Sequence, residues 1–131
     1  MESKAKVLGH PAHQIVVSFP IGLLGTAALF DAVYVVHGGV MWSNVAFYMI
    51  GAGVVGGLIA AIFGLIDYIA IPSGTRAKRV GAFHGLSSLT VVILFSISWA
   101  LRAGPSVLPE PIALLFSFSG VAFLGLAGWL G

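Results

Sequence analysis

Four long apolar stretches constrain the fold more than any other feature of this sequence. Of 131 residues, 59% are hydrophobic and 8% are charged, with a mean hydropathy of +1.08, which a soluble domain of this size cannot carry on its surface. A helix that crosses the hydrocarbon needs about 20 apolar residues, and four such stretches use nearly the whole chain. We predict an all-α integral membrane protein, a single domain over residues 1–131.

Turn signals predict where the membrane spans begin and end. His37-Gly38-Gly39 ends the first span and Pro72 to Thr75 ends the second. Ser43 or Asn44 is expected to cap the second span at its N-terminus. Because the connections are short, neighbouring spans should be antiparallel, which gives an up-down-up-down four-helix bundle. The first apolar run is interpreted as a retained helix, because no cleavage site follows it. The predicted spans are residues 14–36, 44–71, 80–101 and 111–130.

The positive charges predict the orientation in the membrane. Five of the six Lys and Arg residues lie in the N-terminal segment or in the loop between the second and third spans. Cytoplasmic loops of membrane proteins are enriched in such residues, so we expect both termini in the cytoplasm of a multi-pass protein of the cell membrane, typical of a prokaryotic cytoplasmic membrane. No nucleic acid partner is expected. The five residues are Lys4, Lys6, Arg76, Lys78 and Arg79.

The amino-acid usage limits the cofactors that the chain can hold. With no cysteine, it has no disulfides, cysteine-ligated iron–sulfur clusters, thiolate metal sites or covalently attached c-type haem. Any cofactor must be bound by His, Asp, Met or the backbone. Glycine is concentrated on the second span, where small residues recur every four positions and permit close helix approach. These small residues are Gly53, Gly57 and Ala61 on one stripe, and Gly56, Ala60 and Gly64 on another.

Two pairs of polar residues share the same spacing. His13 and Asp31 are 18 residues apart on the first span, and so are His84 and Arg102 on the third. Eighteen residues are about five helical turns, or about 27 Å, so each pair lies on one face at opposite ends of its helix. A buried aspartate needs a cation, and Arg102 is the only one that the sequence offers nearby. We predict a structural ion pair between Asp31 and Arg102.

Three histidines and an aspartate are expected at one depth near the cytoplasmic face. His10 and His13 open the first span, Asp67 ends the second and His84 begins the third. They could bind one metal ion, or two of the imidazoles could clamp a haem iron from opposite faces. In the plainer alternative the histidines are interfacial polar residues and His84 only satisfies Asp67.

The remaining polar residues near the two membrane faces suit supporting roles. Arg76, Lys78 or Arg79 would neutralise the propionates of a haem. His37 lies at the opposite face and is interpreted as a solvated helix cap, although Met41 nearby could complete a second site. No sequence repeat is strong enough to identify.

Several motifs in this order resemble the membrane family called domain of unknown function 2231. The resemblance covers nearly the entire chain and implies a four-helix membrane fold with no settled activity. Some members are joined to Rieske iron–sulfur domains, which implies a membrane electron-transfer setting. The motifs are HPAHQ at 10–14, FPIGLL at 19–24, Asp31, GLIDY at 64–68, TRAKR at 75–79, His84-Gly85 and Arg102.

These observations support three hypotheses for the function. The first is an electron-transfer subunit with a noncovalent haem b, held by His84 and either His13 or His10, with Asp67 orienting a ligand and Arg76 or Arg79 at the propionates. The second is a zinc, iron or copper site formed by His10, His13, His84 and Asp67. The third is a structural or oligomeric subunit without cofactor. In the first, the partners would be the lipid bilayer, a redox protein or quinone, and other copies of the chain; the protein would be a carrier rather than an enzyme.

Overall fold

The computed structural model describes residues 6–131 and contains four long helices. Each helix is long and apolar enough to cross a membrane, which confirms the predicted all-helical four-helix fold. The helices are α1 Ala12–His37, α2 Val40–Ala70, α3 Arg76–Leu101 and α4 Pro111–Leu130.

A two-residue β-hairpin precedes α1. Strands β1 (Lys6–Val7) and β2 (His10–Pro11) pair antiparallel. Leu8 and Gly9 form the turn, both with positive φ, at 52° and 83°. The hairpin was not anticipated from the sequence, because its strands are too short to show an alternating pattern. It places His10 outside the first helix and leaves His13 in the first turn.

The turn between α1 and α2 consists of two glycines. Gly38 and Gly39 have φ of 70° and 94°, a conformation that glycine adopts without steric cost. α2 therefore begins at Val40, and the expected cap at Ser43 or Asn44 was wrong. Ser43 Oγ donates to the Val40 carbonyl at 3.0 Å, and Asn44 Oδ1 accepts from the Ser106 N–H at 2.6 Å. The reason is that the two glycines reverse the chain without a side-chain cap.

The bundle consists of two helical hairpins, α1 with α2 and α3 with α4. α1 and α3 each pack against both α2 and α4, so they stand on opposite corners of the bundle. Hydrogen bonds described below join the first half of α1 to the second half of α2, and the first half of α3 to the second half of α4. An ion pair joins the ends of α1 and α3, so the helices alternate in direction along the chain. The central core consists of Leu24, Ala27, Ala46, Ile50, Val91 and Phe95.

Glycines on α2 let two neighbouring helices approach closely. A Cβ at Gly53 would lie 2.5 Å from Leu24 of α1, and one at Gly57 would lie 3.0 Å from Val92 of α3. Both distances are shorter than a normal carbon–carbon contact. Large apolar side chains such as Leu29 on the outer surface stay exposed, as expected for a surface that faces lipid.

Candidate cofactor site

His13 is held at the first turn of α1 by the backbone of α2. Its Nδ1 lies 3.0 Å from the carbonyl oxygen of Ala60. Since a carbonyl oxygen only accepts hydrogen bonds, Nδ1 carries the proton and donates it. In the neutral imidazole Nε2 then has a free lone pair, the form that binds a metal ion. The ring is half-buried and lies against Gly64, one helical turn after Ala60.

His84 is held in the same way, on the other hairpin. It lies in the third turn of α3, half-buried, and its Nδ1 lies 3.0 Å from the carbonyl oxygen of Ala127 on α4. Gly131, four residues after Ala127, is the glycine against which this ring packs. Nδ1 is again the donor, so Nε2 of His84 also has a free lone pair when the ring is neutral.

The two imidazoles meet across the bundle interior. Their ring centroids are 6.1 Å apart and the ring planes are nearly perpendicular, at 89°. They come from the opposite corners α1 and α3. The arrangement therefore presents two histidine side chains, each anchored through Nδ1, in one space between four helices. We call His13, His84, Ala60 and Ala127 the histidine site.

The two halves of the histidine site repeat one geometry. Each half has a histidine in the first three turns of one helix, and an Ala-x-x-x-Gly segment in the second half of the next helix or at its C-terminus. These segments are Ala60 to Gly64 and Ala127 to Gly131. Neither this repeat nor a role for these segments in a site was predicted from the sequence. The sign of this repeat in the sequence is the spacing of 18 residues that His13 to Asp31 shares with His84 to Arg102.

The other two residues of the predicted cluster are His10 and Asp67. His10 is exposed in the β-hairpin, with its Nδ1 3.1 Å from the Leu8 carbonyl oxygen. Asp67 is half-buried in the last turn of α2. Within residues 6–131, no three His, Asp or Glu side chains converge as metal ligands.

The basic residues predicted to lie in the loop before the third span form the first turn of α3, and one of them bonds to α2. Thr75 caps α3, accepting from the Lys78 N–H at 3.1 Å. Lys78 Nζ donates to the Tyr68 carbonyl oxygen at 2.7 Å and lies 3.9 Å from the centroid of the Tyr68 ring. Lys78 therefore stabilises the C-terminus of α2. Arg76 and Arg79 are exposed.

A second polar cluster lies at the opposite end of the bundle. Arg102 donates to both carboxylate oxygens of Asp31, at 2.9 and 2.6 Å, and the two residues are 2% and 0% exposed. Ser117 Oγ also donates to Asp31, at 2.6 Å. Arg102 Nη2 lies 3.3 Å from Ser98 Oγ, which donates to the Ala113 carbonyl. The two serines were not predicted from the sequence, since serine is common in membrane helices without a special role.

His37 lies far from the histidine site, at the C-terminus of α1. It is exposed, as is Met41 at the start of α2. The Gly38 N–H that follows His37 donates to the Tyr34 carbonyl at 2.8 Å. The helix end is therefore closed by backbone hydrogen bonding.

Comparison with known proteins identifies one family. The family described as "Predicted membrane protein (DUF2231)" matches residues 9–131, which includes every residue of the histidine site and of the opposite cluster. No curated protein and no solved structure matches the chain.

Proposed function

The chain belongs to this family of predicted membrane proteins, and from that premise we propose that it is a membrane electron-transfer subunit that binds a noncovalent b-type haem between His13 and His84. The single observation that carries the proposal is the pair of imidazoles whose Nδ1 atoms are both anchored by backbone carbonyls. That leaves two Nε2 lone pairs in one space, which is what a six-coordinate haem iron requires.

The separation of the two rings supports this ligand pair. Two imidazoles that bind one metal ion, each through a nitrogen about 2 Å from it, must lie close together. The observed separation is 6.1 Å. A haem needs only two side-chain ligands, whereas a closed zinc site needs four.

The surroundings of the two rings suit a tuned redox centre. A hydrogen bond from Nδ1 to a carbonyl fixes the tautomer and the ring orientation and makes Nε2 a stronger electron donor to a bound metal. Arg76 and Arg79 are exposed at the same end of the bundle and would pair with the propionates. When bound, the haem supplies one-electron chemistry between its ferric and ferrous states. The protein residues would hold it and orient it.

The apolar surface around the site suits an electron partner in or at the membrane. The helices around it have apolar outer surfaces, so the site would exchange electrons with a lipid-soluble quinone or with a redox protein at the membrane. Homo-oligomers are compatible with this role. The protein would act as a carrier, without substrate chemistry of its own, in the cytoplasmic membrane.

An absorption experiment with matched histidine variants tests the proposal. The protein is purified in detergent from cells supplied with haem, and spectra are recorded oxidised and dithionite-reduced, with a pyridine haemochrome assay. We expect a Soret band with sharp reduced α and β bands in the wild type. His13→Ala and His84→Ala should lose them, because each removes an axial ligand. His10→Ala and His37→Ala, which change exposed histidines, serve as controls and should keep them.

Other outcomes would contradict the proposal. A colourless wild-type protein would exclude haem, and elemental analysis of the same sample would then distinguish a zinc, iron or copper site from a structural subunit. Haem bands that survive in His13→Ala but vanish in His10→Ala would show that His10, and not His13, is the ligand that pairs with His84.

A further inference from the structure

The carbonyl that orients His13 is accessible because of the residue one turn later. In an α-helix the side chains tilt toward the N-terminus, so the side chain at position i+4 lies over the carbonyl of position i. For Ala60 that position is Gly64. With no side chain there, the second lone pair of the Ala60 carbonyl can accept from an imidazole.

The His13 ring occupies the volume that a side chain at Gly64 would fill. A Cβ there would lie 2.9 Å from His13 Cε1, 3.1 Å from Nδ1 and 3.6 Å from Nε2. Carbon atoms in contact prefer separations of about 3.5–4.0 Å. Even an alanine would therefore require the ring to move.

The second half of the site uses the same arrangement. The Ala127 carbonyl accepts from the Gly131 N–H at 3.0 Å and from His84 Nδ1 at 3.0 Å, so both of its lone pairs are used. A Cβ at Gly131 would lie 2.8 Å from His84 Cε1 and 3.1 Å from Nδ1. The same contact between a histidine ring and a glycine occurs in both halves of the site. This repetition argues against chance packing as its cause.

We propose that Gly64 and Gly131 are positioning residues, which open the Ala60 and Ala127 carbonyls so that these carbonyls aim His13 and His84 at one shared cofactor. The role of the two glycines in binding a shared cofactor rests on the proposed function. Their effect on the orientation of the two rings is expected in the protein without haem as well. The glycines set the direction of each Nε2 and thereby the nearly perpendicular ring planes.

Gly64→Ala tests the inference, with Gly57→Ala as its matched control. Gly57 lies on the same helix, and a Cβ there meets Val92 at 3.0 Å, so the control has a similar packing change away from the histidines. ¹⁵N NMR of histidine-labelled protein without haem reports which ring nitrogen carries the proton. We expect His13 to be protonated at Nδ1 in the wild type and in Gly57→Ala, and to lose this single tautomer in Gly64→Ala.

The haem-bound protein provides a second set of readouts. Loss of an outer hydrogen bond to a ligating histidine lowers cofactor affinity by about 10- to 100-fold, and we expect a decrease of this size for Gly64→Ala only. The EPR spectrum of the oxidised protein should change because the ring rotates. The reduction potential should rise because the imidazole becomes a weaker electron donor to the iron.

Identical NMR and haem affinity in Gly64→Ala and the wild type would overturn the inference. If the wild type binds no haem, the proposed function fails, whereas the NMR result still decides the positioning role. If Gly64→Ala does not fold, Gly131→Ala replaces it with His84 as the reporter. Its control is Gly128→Ala, since a Cβ at Gly128 meets nothing within 4 Å.

Discussion

The Asp31 carboxylate is a buried charged group that needs hydrogen-bond partners. It is fully buried and accepts hydrogen bonds from Arg102 and Ser117. An isolated charge in such a place is very costly, and a bidentate arginine with a hydroxyl donor offsets that cost. At the residue scale, the cluster links α1 and α4 to the arginine that ends α3.

Asp31→Asn should destabilise the protein strongly, because it leaves the Arg102 guanidinium buried without its counter-charge. Removing one member of a buried ion pair costs about 3–5 kcal/mol. The free energy of unfolding in detergent, measured with a denaturant titration, checks this. Glu110→Gln, at an exposed acid, is the control and should change it little.

The double variant Asp31→Asn with Arg102→Met tests whether the stability lost in Asp31→Asn comes from the unpaired charge of Arg102. With both charges gone, no uncompensated charge remains, so we expect it to recover much of the stability lost in Asp31→Asn. A double variant as unstable as the single one would show that the ion pair is not the source of the loss.

At the scale of elements, the α1–α2 hairpin depends on the small residues of α2. Leu24 of α1 is buried and fills the space above Gly53, where a Cβ would lie 2.5 Å from its Cδ2 and 2.7 Å from its Cγ. The stripe of small residues predicted from the sequence thus includes a close contact with α1. The sequence could not show which neighbour each glycine meets, because that depends on the rotation of both helices.

Gly53→Ala should lower the thermal stability, because the methyl group forces Leu24 from its position. Overpacking of this kind costs about 1–3 kcal/mol. Gly125→Ala on α4 is the control, since its Cβ meets nothing within 4 Å. In a helix interior that change favours the folded state by about 1 kcal/mol. Melting temperatures in the same detergent compare the two, and an equal effect in both would contradict the packing argument.

At the scale of the whole molecule, the two polar clusters lie at opposite ends of one bundle. The histidine site joins the starts of α1 and α3, and the ion-pair cluster joins their ends. Both clusters link elements from the two hairpins. Any force that separates the hairpins therefore disturbs the proposed cofactor site and the ion pair together.

The orientation of the bundle in the membrane is a prediction from the charge distribution. If the histidine end faces the cytoplasm, a cysteine introduced by Ser73→Cys is protected in intact cells from a membrane-impermeant maleimide. One introduced by Val107→Cys, in the opposite loop, is labelled. The natural chain has no cysteine, so the background is low. The reverse labelling pattern would contradict the predicted topology.

The sequence alone determined the membrane class, the four helices and the residues that most needed partners. Length and apolarity decide how often a chain crosses the hydrocarbon, and Arg102 was the only cation that the sequence offered near Asp31. Both arguments depend on composition and spacing, which are visible without a structure.

Only the tertiary structure decided which histidines meet and what holds them. His10 and His13 are three residues apart, yet a short hairpin separates His10 from the helix that presents His13. The partners of both rings are backbone carbonyls, which every residue has, so no residue type marks them. Which carbonyl is accessible depends on a missing side chain one turn later and on the register between two helices, and register exists only once the helices have packed.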